Sequence, residues 1–432
     1  MSIRESIDQS PVSRQQTIVI FLCFYLNMID GIDILAIAFA APAIAADWNV
    51  TPQALGLVFS AALVGMGLGA VFIAPFSDRI GRRKMILLCL TIISIGIIAS
   101  VFAQSITQLM FLRLFAGLGL GSLLPSLISI VSEFSPNRYR NLSILFLHAG
   151  VPIGAILTGF VASILLPDYG WRMLFSFAGA ISLLAIPIVY FILPESLDFL
   201  LAKQPSNALL RVNRTLDRMG HKALLSLPTL DEDELKISGV KALLAPSYRQ
   251  ATVALWTALA MSYMSVYFLL SWVVKLAVSS GLAIEDAINA GIALNLGAFL
   301  GSVTLGYLSR RLGLGQIISL FFTVGAVLTI CYGNAKLPVL GVLILLFVLM
   351  YFVQGAFAGL FAVAARIYPT EIRTTGIGWA TGVGRIGAII GPAAAGFILG
   401  AGISINTTFV IFAIPLLVTA VVVTRIDRKL LE

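Results

Sequence analysis

An all-α integral membrane protein, with twelve transmembrane helices in two six-helix halves that repeat one another, is the fold class this sequence predicts. Three observations predict it. The 432 residues are 59% hydrophobic and only 11% charged, with a mean hydropathy of +1.01, where water-soluble domains carry roughly 25% charged residues. Apolar runs long enough to cross a bilayer, about 20 residues each, recur twelve times. Short polar signatures in the first half of the chain return at a nearly constant offset in the second.

In chain order the runs cover 17–45, 54–77, 85–103, 107–132, 142–166 and 171–193, then 250–276, 284–308, 315–334, 338–366, 374–400 and 404–424. Asp30 and Asp33 interrupt the first run and Asp47-Trp48 follow it, which argues against a cleaved signal peptide. With both termini placed in the cytoplasm, 23 of the 28 lysines and arginines fall on the inner side. The outer loops hold Arg172, Lys275 and Lys336, and two more, Arg113 and Arg385, lie within spans. That bias sets the orientation and explains the net charge of +8 without nucleic acid, for which no basic stripe with interleaved aromatics exists. Cys23, Cys89 and Cys331 have no metal-ligand or disulfide spacing and read as small apolar packing residues.

Residues 1–193 form the N-terminal six-helix half, 194–249 a cytoplasmic central loop, and 250–432 the C-terminal half. The central loop carries "DEDELK" (Asp231 to Lys236), several prolines and little sustained periodicity, and reads as a solvated connector. Between the halves, "APFSDRIG" from Ala74 aligns with "GYLSRRLG" from Gly306 at an offset of 232 residues. "SEFSPNRYR" after span four parallels "YPTEIRTTG" after span ten, with Glu133 near Glu371 at an offset of 238.

These same residues carry a family resemblance. "DRIGRRK" (Asp78 to Lys84) resembles the loop 2–3 signature of the major facilitator superfamily, with Ala74 where its leading glycine is usual. "RLFAG" (Arg113 to Gly117) and "PTEIR" (Pro369 to Arg373) resemble the superfamily's span-four and loop 10–11 motifs. Within it, "DGID" (Asp30 to Asp33) and "GVGRIGAIIGP" (Gly382 to Pro392) resemble the aromatic acid:proton symporters. The resemblance implies import of an aromatic carboxylic acid such as benzoate, 4-hydroxybenzoate or protocatechuate, coupled to protons. Dicarboxylates such as muconate, other organic acids, and proton-driven export are the alternatives. It also implies a bacterial-type plasma membrane, a functional monomer, and no cofactor other than the proton as coupling ion.

The ionisable residues inside the spans are the candidate site, because a charge at the bilayer centre costs about 2.5–3.5 kcal/mol and is placed there for a role. Asp30 lies 13 residues into span one, about 20 Å along a helix. The i, i+3 spacing puts Asp30 and Asp33 on one face, and two carboxylates that close resist being ionised together. The pair is thus a candidate proton carrier, unless one of the two only neutralises an arginine. Arg385, 11 residues into a glycine-rich span eleven (Gly376, Gly378, Gly382, Gly384, Gly387, Gly391), offers a planar fork for a carboxylate; its structural alternative is an internal ion pair. Arg113 sits near the outer end of span four, where it could snorkel; the family resemblance assigns it to proton coupling. Candidates for the wall of an aromatic-acid site are Tyr263, Tyr267, Trp379, Phe357, Tyr351, Asn295 and Gln354, with Asp33 and Arg385 as polar anchors. Trp171, Trp256 and Trp272 read as interface anchors.

The cytoplasmic signatures form a candidate gate. Asp78, Arg79, Gly81, Arg82, Arg83 and Glu133 in the first half would meet Glu371 and Arg373 in the second through charge-assisted contacts. Arg310 replaces the aspartate of the first repeat, so the two gates are not equivalent. Two histidines, no HExxH and no GxSxG leave no nucleophile–base set or metal cluster for an enzyme, and no metal is expected.

Overall fold

A computed structural model of the chain describes residues 7, 8, 10–227, 243–308, 313–334, 337–368 and 370–426, without the side chains of 141, 306, 307, 365 and 370–374. Among the described residues the chain forms twelve helices long and apolar enough to cross a membrane, and no strand. They are Arg14–Trp48, Pro52–Ile80, Arg82–Val101, Ile106–Phe134, Asn137–Tyr169, Trp171–Ile192, Arg249–Ser279, Ile284–Leu305, Leu314–Asn334, Val339–Ala364, Thr375–Gly400 and Ile405–Thr424, numbered here as spans one to twelve.

Local sequence explains the starts. Ser13, Thr51, Ser105 and Ser404 each accept a hydrogen bond from the backbone N–H three residues on, which satisfies donors that the helix leaves free. Ser13 and Gln16 complete a reciprocal capping box. Two spans depart from regular helix where proline removes a donor. Span two passes through a π turn (Gly69–Ile73) and a 3-10 turn (Ala74–Phe76) around Pro75. Span five breaks at Ala149, between Asn137–His148 and Gly150–Tyr169, just before Pro152. There Asn27 of span one donates through its side-chain amide to the carbonyl of Leu147 at 2.8 Å. The asparagine preceding "MIDGID" is therefore a brace for the broken helix.

The two halves repeat each other in packing as well as in sequence. In the first half a Cβ on Gly31 of span one would collide with the Val151 carbonyl of span five, and one on Gly65 of span two with the Leu114 carbonyl of span four. In the second half Gly387 of span eleven lies against the Ala260 carbonyl of span seven, and Gly297 of span eight against the Phe347 carbonyl of span ten. First packs on fifth and second on fourth in both halves, each through glycine, which lets backbones approach. Gly387→Val is accordingly expected to force spans seven and eleven apart and to cost about 1–3 kcal/mol or more. Loss of a monodisperse elution peak would register it, while Gly378→Ala, whose Cβ would meet nothing within 4 Å, elutes normally.

The halves meet at one end. Ser60 Oγ donates to the Ile389 carbonyl at 2.7 Å, Phe59 packs edge-on to Trp272 at 5.5 Å, and Gly56 lies against Pro392 and Gly396. Gly159 and Gly291 are filled by Ile292 and Phe39 across the same seam. All these contacts lie toward the ends of the spans joined by loops 1–2, 7–8 and 11–12. Toward the opposite end of span eleven, Gly378 and Gly382 border open space.

Two features differ from the sequence expectation. The central loop contains two helices, Leu197–Lys203 and Ala208–Met219, so it is more than a solvated connector. The second buries Ala208, Val212, Thr215, Leu216 and Met219 along one face and exposes Leu210, an amphipathic pattern with the helical period. "DEDELK" lies outside the described residues. Cys23 and Cys89 are buried as expected, but Cys331 is exposed.

Candidate functional site

Asp30 and Asp33 share span one, yet they have different partners. Residues three apart on a helix differ by about 60° in direction, enough to address two neighbours. Asp33 accepts from Arg113 Nη1 at 2.5 Å, and both side chains are sealed from solvent. The second Arg113 nitrogen donates to Ser100 Oγ at 3.2 Å, and the guanidinium sits over the Phe175 ring, 5.0 Å from its centroid. Spans one, three, four and six thus enclose one ion pair. Arg113 is 0% exposed, so it does not snorkel. Asp33, expected also as a substrate anchor, is committed to this pair; the close charge-assisted bond holds it inside the first half.

Asp30 is the reverse case. It is 7% exposed, and its Oδ1 is buried with no hydrogen-bond partner. The cation that acts on it electrostatically is Arg385, from the other half, and Asp33 also acts on it. Arg385 itself makes no ion pair or hydrogen bond with another described residue. A buried carboxylate with an empty acceptor is expensive, which makes it a place where a proton or a ligand changes the energy most.

An aromatic wall stands beside this pair. Tyr263 and Tyr267 stack at 5.7 Å, and Phe357 meets Tyr263 edge-on at 4.7 Å. Both tyrosines interact electrostatically with Arg385, and Tyr267 also with Asp30. Gly384, next to Arg385, packs directly on the Tyr263 ring. The group Asp30, Arg385, Tyr263, Tyr267 and Phe357 therefore unites spans one, seven, ten and eleven. It offers a cation, a proton acceptor and apolar ring faces within one neighbourhood.

The remaining candidates divide. Gln354 is half-buried with its Oε1 unpartnered, whereas Asn295 donates to the Gly291 carbonyl of its own helix. The structure does not bring Trp379 to the group. Six residues from Arg385, it points about 120° away, is 46% exposed, shares its face with Ile386, Ile390 and Phe397, and stacks on Trp256 at 6.2 Å. Trp272 is no interface anchor either: it is buried and donates to the Pro392 carbonyl at 3.0 Å. Trp171, also buried, donates to Asp47 at 3.1 Å.

At the end carrying loop 2–3, the motif residues form a network inside the first half. Arg82 pairs with Asp78 at 3.0 Å and reaches Glu133 at 3.7 Å. Arg79 lies over the Phe76 ring. Gly81 adopts φ +100, a conformation that favours glycine, and the Glu195 carboxylate fills the space where a side chain would be. Glu195 accepts from the Arg83 N–H at 2.8 Å and faces Arg211 of the loop helix at 3.7 Å. The Arg83 guanidinium donates to the Tyr190 carbonyl. Sequence reading missed Glu195; its signal was a lone acid in "LPES" directly after an apolar span, within reach of a basic loop. The expected contacts with Glu371 and Arg373 fall on side chains outside the description.

Two pseudo-symmetric six-span halves with a charged group between them define the class of polytopic membrane transporters. The Major Facilitator Superfamily model matches residues 20–351 and 296–430. The chain belongs to the Major Facilitator Superfamily. It is 31% identical to the 4-hydroxybenzoate transporter PcaK of Pseudomonas putida over 96% of this chain and 93% of that one. To the gallate transporter of Pseudomonas putida it is 29% identical, covering 98% and 94% of the two chains. To the benzoate transport protein of Acinetobacter baylyi it is 28% identical over 100% and 94%. These are the kind of relatives to which "DGID" and the span-eleven motif pointed. Among solved structures, a bacterial homologue of the human lysosomal transporter Spinster, inward-facing and occupied, superimposes with a TM-score of 0.73 at 18% identity, over 98% and 99% of the two chains; this likeness concerns the fold.

Proposed function

We propose that the protein is a proton-coupled symporter that imports an aromatic carboxylic acid, such as benzoate, 4-hydroxybenzoate or protocatechuate, by alternating access. The observation that carries the proposal is the buried, unpartnered Asp30 opposite Arg385, beside Tyr263, Tyr267 and Phe357. Names of the relatives point to the same substrate class. The protein then sits in a bacterial-type inner membrane as a monomer, with both termini cytoplasmic by the distribution of lysine and arginine.

In the empty site an ionised Asp30 holds Arg385 electrostatically and repels an incoming carboxylate. A proton on Asp30 removes the repulsion and frees the guanidinium, which grips the substrate carboxylate bidentately, while the ring lies against the tyrosines and Phe357. Proton and anion therefore bind together, and the loaded halves rock about the site. With one proton per monovalent anion the cycle moves no net charge and runs on the pH gradient alone. The Asp33–Arg113 pair couples the protonation state of span one to the packing of its half. The networks of Arg82 and Glu195 hold the cytoplasmic ends of the first half as a unit during that motion.

The test is uptake of labelled 4-hydroxybenzoate, benzoate, protocatechuate and cis,cis-muconate into proteoliposomes, with and without an inward proton gradient. The proposal expects gradient-driven accumulation of at least one aromatic acid. Accumulation of muconate alone transfers the mechanism to dicarboxylates, and loss of preloaded aromatic acid against the gradient indicates export.

A further inference from the structure

A cavity lies far from the charged centre. At the N-terminal end of span seven and the C-terminal end of span twelve the structure contains a cavity of about 570 Å³, lined by Arg249, Gln250, Val253, Ala254, Val422 and Arg425 among others. No lining residue is acidic. Both arginines are exposed, and neither forms an ion pair with another described residue. Arg249 precedes Tyr263 by 14 residues, about 20 Å along the helix. Most of the groove-lining residues of span seven face a quarter turn or more away from Tyr263, toward span twelve. The groove therefore belongs to the periphery of the second half.

We infer that this groove binds the phosphate of an anionic phospholipid, with an acyl chain laid over Val253, Ala254 and Val422. Two unpaired guanidiniums supply charge complementarity to a phosphodiester, and guanidinium forks match its oxygens bidentately. The apolar floor between them has no function for a small soluble anion but fits hydrocarbon. Basic pockets between helices on the cytoplasmic side are where acidic headgroups are captured. Val253 is 49% exposed on a helix that otherwise crosses hydrocarbon, so a chain covers it at no packing cost. The occupant would tie span twelve to span seven.

The experiment is native mass spectrometry of the full chain in neutral detergent, titrated with dioleoyl phosphatidylglycerol, dioleoyl phosphatidylcholine or glycerol 3-phosphate. Detergent micelles have no sidedness, so the outcome is independent of the orientation and transport cycle proposed above. Phosphatidylglycerol is expected to stay bound and the other two to be lost. The double variant Arg249→Gln/Arg425→Gln is expected to weaken phosphatidylglycerol retention roughly thirty-fold, and Val253→Trp to weaken it with both charges intact. Circular dichroism identifies a variant that fails to fold, in which case the other variant carries the test. Equal retention of phosphatidylcholine, unchanged binding in folded variants, or tight binding of glycerol 3-phosphate without chains would each overturn the inference.

Discussion

Asp30→Asn is expected to abolish proton-driven accumulation while leaving substrate exchange intact. The amide has nearly the shape of a protonated carboxyl but cannot release a proton, so the variant is locked in the form that admits the anion. In one-to-one electroneutral symport a gradient of one pH unit supports about tenfold accumulation. The variant should bring that ratio to about one, with counterflow of labelled against unlabelled acid retained. The reason lies in partners: Asp30 has a buried oxygen with nothing bound to it, and its counter-charge is on the opposite half. Persisting gradient-driven accumulation in this variant would remove Asp30 from the coupling step and leave Asp33 as the remaining carboxylate of the motif.

The second large effect concerns the enclosed pair. Arg113→Gln is expected to destabilise the protein by about 3–5 kcal/mol, because it strands the Asp33 charge in a closed interior. The observed contacts make this a severe case: Asp33 accepts a 2.5 Å bond, and both side chains are sealed from solvent. Removing both charges together, in Asp33→Leu/Arg113→Met, is expected to restore folding, since a buried pair replaced by apolar residues of similar volume is often neutral. Thermal unfolding of the wild type and the two variants measures the loss and its recovery. Uptake by the double variant then separates packing from coupling. We expect a folded but uncoupled protein; full gradient-driven uptake would reduce the pair to a structural element.

Sequence reading and tertiary arrangement divide clearly at particular residues. "DGID" and Arg385 were recognisable because a charge inside a hydrophobic run is conspicuous against its background. Glu195 was not, since an acid at the water boundary is ordinary; only its closure over Gly81 and Arg83 gives it meaning. Trp272 and Trp379 show the limit from the other direction. Both are aromatics in apolar helices, yet one is buried between the halves and the other is turned outward on the face of Ile386 and Ile390. The linker helix Ala208–Met219 was likewise missed: its apolar stripe lies in a polar, proline-bearing segment that reads as a connector, and it becomes evident only where that face is buried.

That division states what each level decided. The sequence by itself determined the number of spans, the similarity of the halves, the bias of positive charge and the inventory of membrane-embedded ions. The span number, the charge bias and the embedded ions follow from the difference between water and hydrocarbon, which composition records directly; the similarity of the halves follows from the signatures that return in the second half. Only the tertiary structure decided that Asp33 pairs with Arg113 while Asp30 faces Arg385, that Asn27 braces a broken helix, and which aromatics line the charged group. Lipid tails are as apolar as a packed protein interior, so inside the bilayer hydropathy does not say which face of a helix meets a neighbour. Contacts assign that face, chiefly where glycine lets two backbones close.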